Sequence, residues 1–242
     1  MQQTLGIVKG ALLTAKQRHH LTRRINGKSV FEWVVRQMTE CERLDGVVVL
    51  ADDGPNGDLV RSLAPVDVPV HSSKTQDTMG LLLDVLNKFA AKSCLFIGTD
   101  WPFLDPVVLD QIVRAAEQEN GCDYAAFQFT NDVFSAGRPY GLFPEWYRAA
   151  SIMKAATVVT DTIHRQLPGS YFLDNQNKFV VELLPVPAGL DQENVRFSFD
   201  NEEDWDNLLE IHDALKLDVL DCRNLSRLFS TYLTRKNLLA KG

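Results

Sequence analysis

Short runs of consecutive apolar residues alternate along the chain with longer stretches in which apolar positions recur every three or four residues. The first pattern marks strands buried on both faces and the second marks amphipathic helices. Strands are expected at Leu5–Val8, Gly46–Ala51, Val68–His71, Ser93–Gly98 and Asp123–Thr130. Helices are expected at Ser29–Cys41, with Val30, Trp33, Val34, Gln37 and Met38 on one face, and at Asn56–Leu63. Two more follow at Thr78–Ala91, with Met79, Leu82, Leu83, Leu86 and Phe89 aligned, and at Pro106–Glu119, where proline suits the first turn. The second half is less regular. It predicts a helix within Gly141–Lys154, strands at Phe179–Pro185 and Arg196–Phe199, and an acidic helix at Asn201–Leu215. This succession predicts an α/β fold, a mostly parallel sheet with helices on both faces, in one domain over residues 1–220. Residues 221–242 then read as a basic amphipathic helical tail, packed on its own domain or on a second copy in a homodimer, with binding to a membrane surface as the sharper alternative.

The composition, 45% hydrophobic and 24% charged, is that of a folded domain. No apolar run reaches the roughly 18 residues of a membrane span. The N-terminal stretch lacks the sustained apolar centre of a secretion signal, so a cytoplasmic location is expected. Cys41, Cys94, Cys122 and Cys222 are far apart and form no CxxC pair, which reads as buried free thiols. The net charge of −7 disfavours a nucleic-acid partner. It conceals an asymmetry, because Lys9, Lys16, Arg18, Arg23, Arg24, Lys28 and Arg36 face only Glu32 within residues 1–36. An anion is therefore expected near the N-terminus.

The apolar strand ending at Gly98-Thr99-Asp100 places a carboxylate at a strand's C-terminal edge, where open α/β sheets bind ligands. Such an oxygen donor suits Mg²⁺ on a phosphate substrate, although Asp100 reads equally as a turn cap before Pro102. Asp105 before Pro106 reads as a helix N-cap. His19-His20 reads as part of a solvated basic loop, and His71 and His164 as loop residues. Trp33 and Trp205 read as packing residues on helix faces.

The segment Gly98-Thr-Asp-Trp-Pro-Phe-Leu-Asp-Pro-Val-Val-Leu-Asp-Gln-Ile-Val113 resembles TGDxPLxDPxxxDxxI of cytidylyltransferases of the spore-coat-polysaccharide-F type, relatives of CMP-Kdo synthetases. Asn26–Arg36 resembles the family's GKPLLEYVIER helix, and Val195–Trp205 its LRWTLDTPEDL segment. The similarity spans about residues 5–215. It implies a Rossmann-like GT-A nucleotidyltransferase fold that transfers a nucleotidyl group from CTP, with Mg²⁺, to a sugar or sugar acid in surface polysaccharide biosynthesis. By motif, it implies that Asp100 and Asp200 hold the metal and that Lys16 and Asp100 are catalytic. Lys9, Gly10, Thr14, Lys16, Arg18, Asp77 and Asp100 would bind the nucleotide, and Glu145 and Arg165 the acceptor. By sequence alone, Asp200 also reads as the N-cap of the helix at Asn201.

The triphosphate loop is degenerate. In register with the family's QARxxSxRLPGK, Ala11 and Lys16 replace arginines, Thr14 replaces the serine, and His19-His20 replaces GK. Leu81 stands for another arginine, and Phe143 for an aspartate of the sugar site. These departures carry an alternative reading: a non-catalytic GT-A relative that binds a sugar nucleotide or a protein, or a GT-A glycosyltransferase. In that case Leu12, Leu13 and Phe143 are expected to close the nucleotide pocket.

Overall fold

The computed structural model describes residues 4–25, 27–99, 104–118, 121–129, 144–186, 205–206 and 209. Strand β1 (Thr4–Gly10) leads to α1 (Ala15–Thr22), a small hairpin of β2 (Arg24–Ile25) and β3 (Lys28–Ser29), and α2 (Val30–Thr39). The alternation continues through β4 (Gly46–Asp52), α3 (Pro55–Leu63), β5 (Val70–Ser73), α4 (Thr78–Phe89), β6 (Ser93–Ile97) and α5 (Pro106–Gln118). It ends with β7 (Tyr124–Gln128), β8 (Glu145–Arg148), α6 (Ala149–Ala156), α7 (Thr162–Gln166), α8 (Pro168–Asp174) and β9 (Val181–Pro185).

One sheet takes up seven strands in the order β5-β4-β1-β6-β8-β7-β9. Only β8 runs against its neighbours, pairing antiparallel with both β6 and β7. The other pairings are parallel, so the expected mostly parallel α/β sheet is the one observed. Alternation along β1 explains why both faces are covered. Leu5 and Ile7 join a buried cluster with α4, α6 and α8, whereas Val8 joins one with α2 and α5. Cys41, Cys94 and Cys122 are buried free thiols, as the wide spacing of the cysteines suggests.

Local chemistry sets most helix starts. Ser29 accepts from the Glu32 amide at the head of α2, and Asp77 from the Gly80 amide at the head of α4. Asp105 accepts from the Val107 amide at 2.8 Å, as expected of a residue just before a proline-led helix.

Several expectations are corrected. The strand placed at Val68–His71 runs from Val70 to Ser73, because its register is set by pairing with Val49–Asp52. The helix expected within Gly141–Lys154 is α6, shifted to Ala149–Ala156, and the expectation missed β8 before it, whose four residues are too few to display a period. On α4, Leu81 and Val85 are fully buried beside Met79, Leu82 and Leu86, while Leu83 and Phe89 are only partly buried. The helix packs against α6 and α7 as well as the sheet, so it buries a wider stripe than a single apolar row. His71 lies on β5 with Nε2 3.0 Å from Asp84 Oδ2, and His164 lies on α7. The His19-His20 pair belongs to α1, where His20 is buried. The strand at 196–199, most of the helix at 201–215 and the tail 221–242, with Cys222, lie outside the described residues. Trp205 is partly buried against the α2 and α5 cluster, with the Arg23 guanidinium 4.8 Å over its ring. Trp33 packs there too and donates its indole N–H to the Ile25 carbonyl at 2.8 Å.

Candidate functional site

The C-terminal ends of β1, β4 and β5 converge on the connection between β1 and α1. Gly10 is the last residue of β1, and a Cβ there would lie 2.6 Å from the Leu50 carbonyl and from Val60 Cγ1. Glycine thus lets β1 close down on β4 and α3. The chain then turns sharply. Leu12 is held at φ +56°, a conformation that costs a non-glycine residue about 1–3 kcal/mol, and its N–H is fixed by Asp52 Oδ1 at 3.0 Å. Thr14 caps α1 in a reciprocal box with Gln17, a Thr-x-x-Gln spacing that the reading of Thr14 as a nucleotide ligand passed over. Arg18 reaches back to donate to the Leu13 carbonyl, so its fork braces the turn, while Lys16 stands exposed at the first turn of α1.

Beside this turn lies an open cleft of about 490 Å³, lined by Leu12, Leu13, Asp52, Asp53, Asn56, Ser73, Lys74 and Gln76. Leu12 and Leu13 form part of its wall without filling it. Phe143, the third side chain expected to close it, lies outside the described residues. Arg61 stiffens the far wall by donating to Ser72 Oγ at 2.6 Å, Asp58 Oδ1 at 2.7 Å and the Gly54 carbonyl at 3.3 Å.

A second group of expected residues meets at the N-terminus of α4. Lys9 donates from Nζ to Thr78 Oγ1 at 3.2 Å. Asp77, the cap of α4, also accepts from Arg165 Nη2 at 3.0 Å, which joins two residues expected in different subsites. The neighbouring Gln166 donates to the Gln76 carbonyl at 3.0 Å, so α7 grips the loop that lines the cleft. Glu145 sits on β8 with both carboxylate oxygens taken, accepting from Tyr124 Oη at 2.7 Å and from Tyr147 Oη at 2.8 Å. Burial pushes this carboxyl above the ordinary range, opposed by the two tyrosine hydroxyls and the positive charge of Lys9. Both tyrosines are themselves pushed well up by burial and by the Glu145 charge.

The structure therefore brings Lys9, Asp77, Glu145 and Arg165 to one side of the strand ends, and Gly10, Thr14, Lys16 and Arg18 to the adjoining turn. Asp100 and Asp200, the expected metal ligands, lie outside the described residues. Among the described residues, no group of three or more His, Cys, Asp or Glu side chains could hold a metal ion. Sequence reasoning placed Leu12 and Leu13 at the pocket but missed Asp52, Asp53 and Gln76 as its wall, which the long-range contact of Asp52 with the Leu12 amide discloses. No helix among the described residues is long and apolar enough to cross a membrane.

Over residues 16–167, more than half of the chain, the sequence matches the MobA-like NTP transferase domain family. Among solved structures, the chain is similar to a cytidylyltransferase from Leptospira borgpetersenii serovar Hardjo-bovis, with a TM-score of 0.70 at 15% identity, covering 88% of this chain and 86% of that one. It is also similar to a CMP:2-keto-3-deoxy-manno-octonic acid synthetase complexed with CTP, with a TM-score of 0.66 at 11% identity, covering 89% of this chain and 100% of that one. A third similar structure is Rv0371c from Mycobacterium tuberculosis H37Rv complexed with manganese, with a TM-score of 0.58 at 19% identity, covering 86% and 98%. At these identities the likeness is one of fold. No curated protein matches the chain in sequence.

Proposed function

Because the chain belongs to the MobA-like NTP transferase domain family, we propose that it is a cytidylyltransferase acting at the cleft beside the β1–α1 turn. In this reading CTP donates CMP, with Mg²⁺, to a hydroxyl of a sugar or sugar acid. The acceptor oxygen forms a bond to the α-phosphorus, the bond from that phosphorus to the β-bridging oxygen breaks, and pyrophosphate leaves. The hydroxyl proton passes to solvent. The observation that carries the reading is the open cleft beside the β1–α1 turn, with Lys74 in its wall; the turn follows Lys9, anchored on Thr78, and leads into α1, which carries Lys16. Cations and helix-terminal amides placed there favour a polyphosphate. Leu12 and Leu13 offer an apolar wall for the base, and Asp52, Asp53, Ser73 and Gln76 offer polar partners for its edge.

Lys9 and Lys16 hold the phosphates, and Arg18 keeps the turn in shape through the Leu13 carbonyl. Thr14 and Gly10 serve by fixing the backbone, and Asp77 and Arg165 by tying α7 to the edge of the cleft. Asp100 and Asp200 would hold Mg²⁺. Their oxygen donors suit that ion, and the preceding Thr99 has a buried hydroxyl without a hydrogen-bond partner. When bound, the ion neutralises charge on the phosphates. Rate enhancement then comes from positioning and charge stabilisation, with no protein nucleophile required.

The alternative of a non-catalytic relative draws on Ala11 and Leu81, both fully buried where the related family has arginines. Calorimetric titration with each of the four NTPs, with and without Mg²⁺, separates the two. CTP is expected to bind in the micromolar range, and Lys9→Met to weaken it about ten-fold, as loss of one charge-assisted contact would. If no NTP binds more tightly than millimolar, the transferase reading fails and the non-catalytic one stands.

A further inference from the structure

A charged carboxyl group taken out of water must find a counter-charge or give up its charge. Glu145, half-buried at the start of β8, is drawn toward that condition. Its two oxygens accept from Tyr124 and Tyr147, and α8 roofs it so closely that a Cβ on Gly169 would collide with Oε1. Strand register shows which cation shares its face. Ile7 pairs with Phe96, and Phe96 with Glu145, so these three lie in one row across β1, β6 and β8 and point to the same side of the sheet. Lys9, two residues beyond Ile7, points to that side as well. It lies one step closer to the strand ends, two strands from Glu145, about 10 Å by ordinary strand spacing. Its ammonium is anchored on Thr78 at the head of α4.

We propose that Glu145 is a positioning residue for Lys9: its carboxylate, held by the two tyrosines, keeps the Lys9 ammonium charged and in place at Thr78 for the polyphosphate of the substrate. The role in substrate binding rests on the cytidylyltransferase reading, whereas the coupling of the two charges does not. The charge of each group supports that of the other, and the support is reciprocal by linkage. Lys9 is among the groups that oppose the upward push of burial on Glu145. Among the described residues, ionisable groups near the pair include Cys94 on β6, Tyr124 on β7, Tyr147 on β8, and the Asp77–Arg165 ion pair of α4 and α7. That ion pair is internally neutralised, and the thiol and the two phenols are uncharged near neutral pH because their ionisation is pushed upward.

The test follows the Lys9 ammonium by NMR titration of its side chain in the full chain, assigned by difference from Lys9→Arg. In Glu145→Gln the Lys9 midpoint is expected to fall by about one unit or more, with Glu145→Asp recovering part of the loss. A purely structural role for Glu145 would lower the melting temperature and leave that midpoint alone. An unchanged midpoint in folded Glu145→Gln overturns the proposal. Should that variant fail to fold, Lys9→Met is titrated at the Glu145 carboxyl instead, which is expected to move further upward; no movement overturns the proposal. CTP affinity, measured on the same samples, is expected to fall several-fold in Glu145→Gln. Absence of CTP binding by the unaltered chain would sink the cytidylyltransferase reading, while the Lys9 midpoint would still decide the coupling.

Discussion

Ala90 ends α4 in the left-handed region, at φ 49° and ψ 38°, where its exposed methyl group gains nothing from packing and meets the steric cost of that conformation. Glycine adopts these angles freely, so Ala90→Gly is expected to stabilise the fold by about 1 kcal/mol, measured as a higher midpoint in urea. Leu12 shares the conformation, at φ +56°, but differs in its setting. Its side chain packs on the α4 cluster and lines the cleft, and its N–H is held by Asp52. Strain at the end of a helix can be removed without consequence, whereas strain beside the cleft shapes the turn into α1.

At the scale of elements, the short helices α7 and α8 are joined by His164. Its Nδ1 lies 2.8 Å from Asp161 Oδ2 and its Nε2 3.0 Å from Asp174 Oδ2. A neutral imidazole has one N–H, so both contacts are donated only by the imidazolium. The hydrogen bond to Asp174, then that to Asp161, raises the pKa of His164. A raised folded value gives stability that is complete below the ordinary imidazole value and is lost as pH climbs through the raised one. The melting temperature of the unaltered chain, relative to His164→Gln, should therefore be highest near pH 6 and converge as pH rises toward 9. A difference that grows with pH would contradict this clamp. Because α7 also carries Arg165 on Asp77 and Gln166 on the Gln76 carbonyl, its loosening reaches the loop beside the cleft.

For the whole molecule, the sign of the charge matters. The net charge of −7 repels a polyphosphate, while the basic stretch within residues 1–36 attracts one. Salt screens both over a Debye length of about 10 Å at 0.1 M. If binding is local to the β1–α1 turn, tripolyphosphate affinity should fall about three-fold or more as NaCl rises from roughly 50 to 300 mM. If the molecule's overall charge governs, affinity should instead rise with salt. Isothermal titration at several salt concentrations reads the sign directly.

Features set by neighbouring residues were fixed by the sequence itself. The apolar runs of β1, β4 and β6, the cap Asp105 and the presence of α2 and α5 are legible because each depends on residues within one or two turns, whereas the buried face of α2 turns out to be Val30, Phe31, Val34, Val35 and Met38 rather than the row with Trp33 and Gln37. The same legibility holds for the basic character of residues 1–36, the segment that contains the β1–α1 turn. Only the tertiary structure decided what depends on distant strands and helices coming together. Strand β8 enters antiparallel between β6 and β7, and its four residues carry no period that would announce it. Arg165 meets Asp77 across 88 positions, and Asp52 meets the Leu12 amide across 40. Glu145 and Lys9 share a face because three strands fall into register. Such pairings are selected by the closing of the whole sheet and the burial of its faces, which no short window of sequence contains.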